Sequence, residues 1–166
     1  MGGALMIILA LVVIAAVMSI AYYNTFVRLR NQSDEAFSTM DVYLKKRYDL
    51  IPNLVETVKH YAIHEKETLE KVISARTMAM GSQSIDERVQ KENMLSGTLK
   101  SLFAVSESYP DLKADTSFLN LQNQLSSIEN EISQARKYYN GAVRALNTKI
   151  EMFPSNIVAN IAGFKK

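Results

Sequence analysis

The stretch KKRYDLIPNLVETVKHYAIHE, residues 45–65, keeps a helical rhythm of apolar side chains yet has a proline, Pro52, near its middle. A proline inside a helix removes one backbone hydrogen bond and costs about 3 kcal/mol. If Pro52 opened a new helix, however, the turn before it would be made of Leu50 and Ile51. Both are apolar and in register with Leu54 and Val58, and turns are rarely built from such residues. The spacing therefore predicts one helix with a kink at Pro52, held by packing. Arg47 and Asp49, flanking Tyr48, are expected to supply polar contacts to the backbone groups that the proline frees, with Asn53 just beyond. The chain break falls later, near His60 to His64, which leaves Glu65 and Glu67 at a helix N-terminus, where negative charge is favoured.

Upstream, Ala4 to Tyr23 is free of formal charge and rich in Leu, Ile, Val, Ala and Met; the first charge is Arg28. At 1.5 Å per residue such a run reaches about 30 Å, the thickness of a bilayer's hydrocarbon core. Residues 1–23 are read as a single transmembrane helix. Tyr22 and Tyr23 stand where an interfacial aromatic belt belongs, with Arg28 and Arg30 beyond them. A cleaved signal peptide would open with a basic region, which Met-Gly-Gly-Ala-Leu lacks, and would carry an apolar core of only about 7–15 residues. Arg28 and Arg30 favour a cytoplasmic side for the domain that follows. With three residues ahead of the run, no output domain is expected across the membrane.

Downstream, Phe118, Leu121, Leu125, Ile128, Ile132, Ala135, Tyr139, Ala142 and Leu146 alternate spacings of three and four, the seam of a bundle or coiled coil, with Asp115 as N-cap. Ile85, Val89, Ser96, Leu99, Phe103 and Ser106 mark a shorter helix, and Gly81-Ser82-Gln83-Ser84 is a polar turn before it. The expected domain spans residues 24–153, with helices over 24–61, 64–80, 85–107 and 116–153. The first and last match in length, so the fold class is all-α, an up-down-up-down four-helix bundle. The first helix would rise about 57 Å from the membrane and the last would return as far. Pro154 stops the return, Ser155 or Asn156 caps a new turn, and 154–166 forms a short apolar segment ending in Lys165 and Lys166. It either meets the membrane surface or covers the base of the bundle.

A net charge of +2, with basic and acidic residues interspersed, argues against nucleic acid as a partner. The chain has no cysteine, hence no disulfide framework, lipid-modified cysteine or thiolate metal site. Glu56, His60, His64 and Glu67 would share a face of one continuous helix, a spacing that metal-binding bundles use. The expected break separates them, and no matching ligands stand on another helix, so no metal or other cofactor is expected. Lys45-Lys46-Arg47 begins too far from the membrane to hold lipid; it is read as a solvated face or as paired with acidic residues on a neighbouring helix. No catalytic triad, phosphate loop or nucleotide motif is present.

These features together are similar to the LemA family of bacterial membrane proteins. The resemblance rests on Tyr23-Asn24 and Arg30-Asn31, on Lys46 to Lys59 around Asp49-Leu50-Ile51-Pro52-Asn53-Leu54-Val55, and on His64-Glu65 and Ala75-Arg76. It continues through Tyr109-Pro110-Asp111-Leu112-Lys113, Ala135-Arg136, Tyr138-Tyr139-Asn140 and Phe153-Pro154-Ser155-Asn156. Family members often have glycine where this chain has His60, and many run on beyond the Gly163-Phe164-Lys165 region. The resemblance implies a single-pass protein with a four-helix bundle and no defined biochemical activity. One branch resembles magnetosome-membrane proteins, and others are associated with membrane proteases and envelope functions. The expectation is a non-enzymatic scaffold or adaptor in a bacterial inner membrane or a derived organelle membrane. Its expected partners are the lipid bilayer, further copies of itself as a homo-oligomer, and unidentified membrane proteins, a membrane protease among them. The alternative is a ligand-sensing bundle that signals through a partner.

Overall fold

The computed structural model describes residues 2–166, which form helices α1 (Gly2–Tyr61), α2 (Lys66–Met80), α3 (Ile85–Ser106), α4 (Pro110–Ala114), α5 (Thr116–Glu151) and α6 (Ser155–Ala162). No strand occurs among the described residues, so the protein is all-helical. α1 runs through Pro52 without interruption to Tyr61. It is the one helix among the described residues long and apolar enough to cross a membrane. Over most of the apolar run its side chains are exposed, with Leu5 70% and Val17 61% exposed.

The chain divides into two compact units, Val42–Ile132 and Met1–Asp41 with Ser133–Lys166. The core of Val42–Ile132 is rich in leucine. Leu44, Ile51, Leu54 and Val58 of α1, Leu69 and Val72 of α2, Leu95, Leu99 and Leu102 of α3, and Phe118 and Leu125 of α5 are all buried. The spacing of three and four along each helix puts these residues on one stripe, which packing against the others removes from water. Ser84 caps α3 by accepting from the Glu87 N–H at 3.2 Å, and Asp115 caps α5 by accepting from the Phe118 N–H at 2.8 Å. Pro110 at the start of α4 suits a helix's first turn, where its missing N–H would go unpaired.

In the other unit the buried apolar residues are Phe26, Ala36 and Met40 of α1, Ala135 and Ala142 of α5, and Ala159 of α6. Phe37 and Tyr139 pack ring to ring at 5.7 Å. The expectation that Ser155 or Asn156 caps a new helix needs correcting. Ser155 is buried as the first residue of α6, and its hydroxyl lies 2.7 Å and 2.8 Å from the carbonyls of Lys149 and Met152. It therefore satisfies the unpaired end of α5. Gly163 ends α6 in the left-handed conformation at φ 75°, which a side chain would strain. The reversal brings the Phe164 N–H to the Ala159 carbonyl at 3.0 Å, and the Phe164 ring onto Phe26 at 5.0 Å and against Tyr23 at 5.8 Å.

Candidate functional site

Arg47 falls on the buried stripe of α1 between Leu44 and Ile51, and with Glu92 it is among the largest fully buried side chains of the protein. Its guanidinium pairs with the Glu92 carboxylate, each side chain being 1% exposed, and with Glu129 of α5, which is 46% exposed. The same guanidinium donates to the Ser96 hydroxyl at 2.9 Å, and that hydroxyl donates in turn to Glu129 at 2.9 Å. The second Glu92 oxygen accepts from the Tyr48 hydroxyl. Both oxygens of the buried carboxylate are thus occupied, as burial of a charge requires. Of the three charges, the surplus negative one sits at Glu129, the member that reaches water.

Pro52 is tied into the same cluster. It has no N–H, so the carbonyl of Tyr48, four residues earlier, loses its helical donor. Arg76 of α2 donates to that carbonyl through Nε at 2.7 Å. The contact expected from Arg47 and Asp49 is therefore supplied by Arg76: Arg47 is directed at the two carboxylates, and Asp49 is exposed. The remaining motif residues divide by helix face, with Ile51 and Leu54 buried, Leu50 half-buried, and Pro52 and Asn53 exposed. Lys45 and Lys46 are also exposed, so only Arg47 of the basic triplet takes part in the buried pairing.

Glu92 is the member that sequence spacing passes over. The α3 stripe runs 85, 89, 96, 99, 103 and 106, and the position that completes its rhythm is 92. An acidic residue there reads as a gap in an apolar seam. In fact it is the counter-ion of an equally seam-bound Arg47, and two opposite charges on stripe positions of neighbouring helices are the signal that could have found it.

The end of α1 and the start of α2 are each fastened by a further bond. Tyr61 donates to Asp115 at 2.9 Å, and Tyr109 donates to Glu65 at 3.0 Å. The Phe118 N–H, with help from Tyr61, holds the Asp115 carboxyl below its ordinary range, and the adjoining carboxylates raise Tyr61 and Tyr109. The residues with metal-like spacing lie on different elements. Glu56 and His60 face each other at 3.8 Å on α1, His64 lies in the connection after it, and Glu67 sits in the first turn of α2, paired with Lys71 at 2.6 Å. No cluster of three or more metal-ligating side chains occurs among the described residues. Beside Ser96 and Glu129 a cavity of about 360 Å³ opens, with Leu99, Phe103 and Leu125 in its wall.

Of the residues assigned to a membrane interface, Tyr22 is half-buried under the Lys149 ammonium at 5.1 Å, and Tyr23 packs on Phe164. Arg28, Arg30, Lys165 and Lys166 are exposed, and Lys166 pairs with Glu151.

The LemA family model matches residues 36–166, a span that contains every residue of the buried cluster. The chain belongs to the LemA family. Among individual proteins it is similar to magnetosome protein MamQ 2 of Paramagnetospirillum magneticum, 26% identical over 98% of this chain and 70% of that protein. It is also similar to protein LemA of Metamycoplasma hominis, 28% identical over 82% of this chain and 63% of that protein. Magnetosome protein MamQ of Magnetospirillum gryphiswaldense is 22% identical over 87% of this chain and 62% of its own length. The apolar N-terminal helix fits a membrane anchor for this family member.

Proposed function

We propose that this LemA-family protein is a non-enzymatic scaffold or adaptor, rooted in a bacterial inner membrane or a membrane derived from it. Within residues 42–132, α1, α2, α3 and α5 act as a four-helix bundle, and Pro52 bends α1 where Arg76 takes over the freed carbonyl. The observation that carries the reading is the buried cluster. Arg47 and Tyr48 of the motif are engaged with Arg76 of α2, Glu92 and Ser96 of α3 and Glu129 of α5, so their chemistry serves to fix which helices pair and in what register. What remains for partners is the outer surface, where exposed pairs such as Lys71 with Glu67 can exchange between copies.

On this reading the protein self-associates or recruits other membrane proteins, such as a membrane protease, and organises an envelope or organelle membrane. The similarity to magnetosome proteins supports the organelle case. The 42–132 unit lies on the cytoplasmic side, favoured by Arg28 and Arg30. Crosslinking in native membranes followed by identification of co-purified proteins tests it. Crosslinked multimers or a reproducible set of membrane proteins is the expected result. A protein that crosslinks to nothing, and stays monomeric in detergent at every concentration, contradicts it.

The cavity beside Ser96 and Glu129 favours a second reading, a ligand-sensing bundle that signals through a partner. A small molecule that raises the melting temperature in the native protein, but not after Ser126→Trp fills the cavity, would establish it.

A further inference from the structure

The segment after α5 leaves more apolar surface open than its packing uses. Ser155 and Ala159 of α6 are buried, and Phe164 closes on Tyr23 and Phe26, so the helix is fixed beside the last turns of the apolar run. Its other face is bare, with Ile157 51% and Ile161 83% exposed, and Phe153 in the turn before it is 78% exposed. Between α6 and α1 a groove of about 300 Å³ is lined by Ser19, Ile20 and Tyr23 on one side and Val158, Ile161 and Ala162 on the other. The one polar side chain on its α1 wall apart from the tyrosine is Ser19, whose hydroxyl donates to the Ala15 carbonyl at 2.8 Å. The groove therefore presents hydrocarbon walls, open along one side.

Its position decides the occupant. Residues 19–23 end the charge-free run, so the groove continues the exposed apolar surface of α1 at the level where that surface stops. Arg28 and Arg30 follow the run on α1, Lys149 lies over the Tyr22 ring, and Lys165 and Lys166 follow Phe164, against Glu151, an excess of positive charge near the end of the run. In water a bare isoleucine on an ordered helix has no compensating contact, whereas the upper acyl region of a bilayer supplies one.

We propose that α6 lies in the membrane interface beside α1, and that the groove between them seats an acyl chain of an anionic phospholipid whose headgroup meets the lysines and arginines above it. The membrane end of the protein is then a two-helix foot, which fixes the rotation of α1 about its axis. The inference rests on α1 crossing the membrane, and its test separates the two claims.

The chain has no cysteine, so single cysteines can be placed and labelled with an environment-sensitive fluorophore in the full-length protein. Val12→Cys, Ile161→Cys and Lys137→Cys are reconstituted into phosphatidylcholine–phosphatidylglycerol vesicles and quenched either with acyl-brominated lipid or with aqueous iodide. Ile161 is mostly exposed, so its replacement leaves the internal packing in place, and the helical circular dichroism of each variant checks this. Label at position 161 should shift to the blue and be quenched by shallow-brominated lipid at least about two-fold more than at 137, with iodide protection. If position 12 is quenched by deep-brominated lipid while 161 responds only to iodide, the foot is overturned and the membrane span stands. If position 12 also responds only to iodide, both fall. If the label at 161 is protected from both quenchers, and the unlabelled Ile161→Cys protein treated with an added thiol oxidant forms a 161–161 disulfide, the patch belongs to a second copy and the lipid assignment is overturned.

Discussion

Residues 5–20 and residues 44–58 belong to the same helix, and they invert each other. In the first stretch Leu, Ile and Val side chains are exposed, while in the second a guanidinium is among the most deeply buried groups of the molecule. The difference lies in the medium each stretch is written for. In hydrocarbon an outward leucine has no cost, and the helix need only satisfy its own backbone. In a packed interior surrounded by water an ion is tolerated only while all its partners are present. The first stretch should therefore accept apolar exchanges freely, and the second should fail when one partner is lost.

The largest effect expected is at Arg47. Arg47→Ala leaves Glu92 charged, buried and without its counter-ion, a loss of about 3–5 kcal/mol of unfolding free energy. Denaturant titration of the detergent-solubilised full chain, followed by circular dichroism, measures it. Ile14→Leu in the outward stretch should leave the midpoint unchanged. A loss at Arg47 no larger than at Ile14 would erase the contrast between the two stretches.

The next effect concerns the proline. Arg76→Ala removes the side-chain donor to the Tyr48 carbonyl, at about 1–3 kcal/mol. Pro52→Ala restores an N–H four residues on, so the cost of Arg76→Ala should be clearly smaller when the two substitutions are combined. Equal cost with and without Pro52→Ala would mean that Arg76 acts through something other than that carbonyl.

The smallest effect is acid sensitivity at the end of α1. Asp115 is held below its ordinary value of 3.8, first by the Phe118 N–H and then by the Tyr61 hydroxyl. A carboxyl depressed in the folded state contributes stability that is fully present above its unfolded value and is lost as pH falls through the folded one. Asp115→Asn, which keeps a capping side chain, should flatten the stability profile below about pH 4 and leave neutral pH little changed. An unchanged acid limb in Asp115→Asn would place the sensitivity elsewhere.

How far the sequence could be read differs between the same regions. The all-helical fold and the outward apolar helix are legible, because hydropathy and three-four spacing act locally and a membrane helix needs nothing from the rest of the chain. Asp115 as the cap of α5 is legible for the same reason. Arg76 at the Tyr48 carbonyl is not: its reach depends on which face of α2 meets α1, a fact no spacing within either helix contains. Glu92 was hidden by convention, since an acid on a seam is counted as an interruption. α4 was too short, at five residues, to build a periodic pattern, although Pro110 and Asp111 are good first-turn residues. Ser155 has the chemistry of a cap and serves the helix before it, a choice that depends on how the chain turns after Glu151.

The central claim is that the buried charges of the motif hold the helices in register and do nothing outside the fold. The triple variant Arg47→Met/Glu92→Leu/Tyr48→Phe tests it most directly, by replacing the ion pair and the hydroxyl bonded to it with apolar groups of similar size. Its unfolding midpoint and its crosslinking in native membranes are measured on the same preparation. The account predicts a midpoint well above that of Arg47→Ala and a crosslinking pattern like that of the native protein. A triple variant that folds stably yet loses its crosslinked partners would contradict it, because the charges would then be acting on something beyond the bundle.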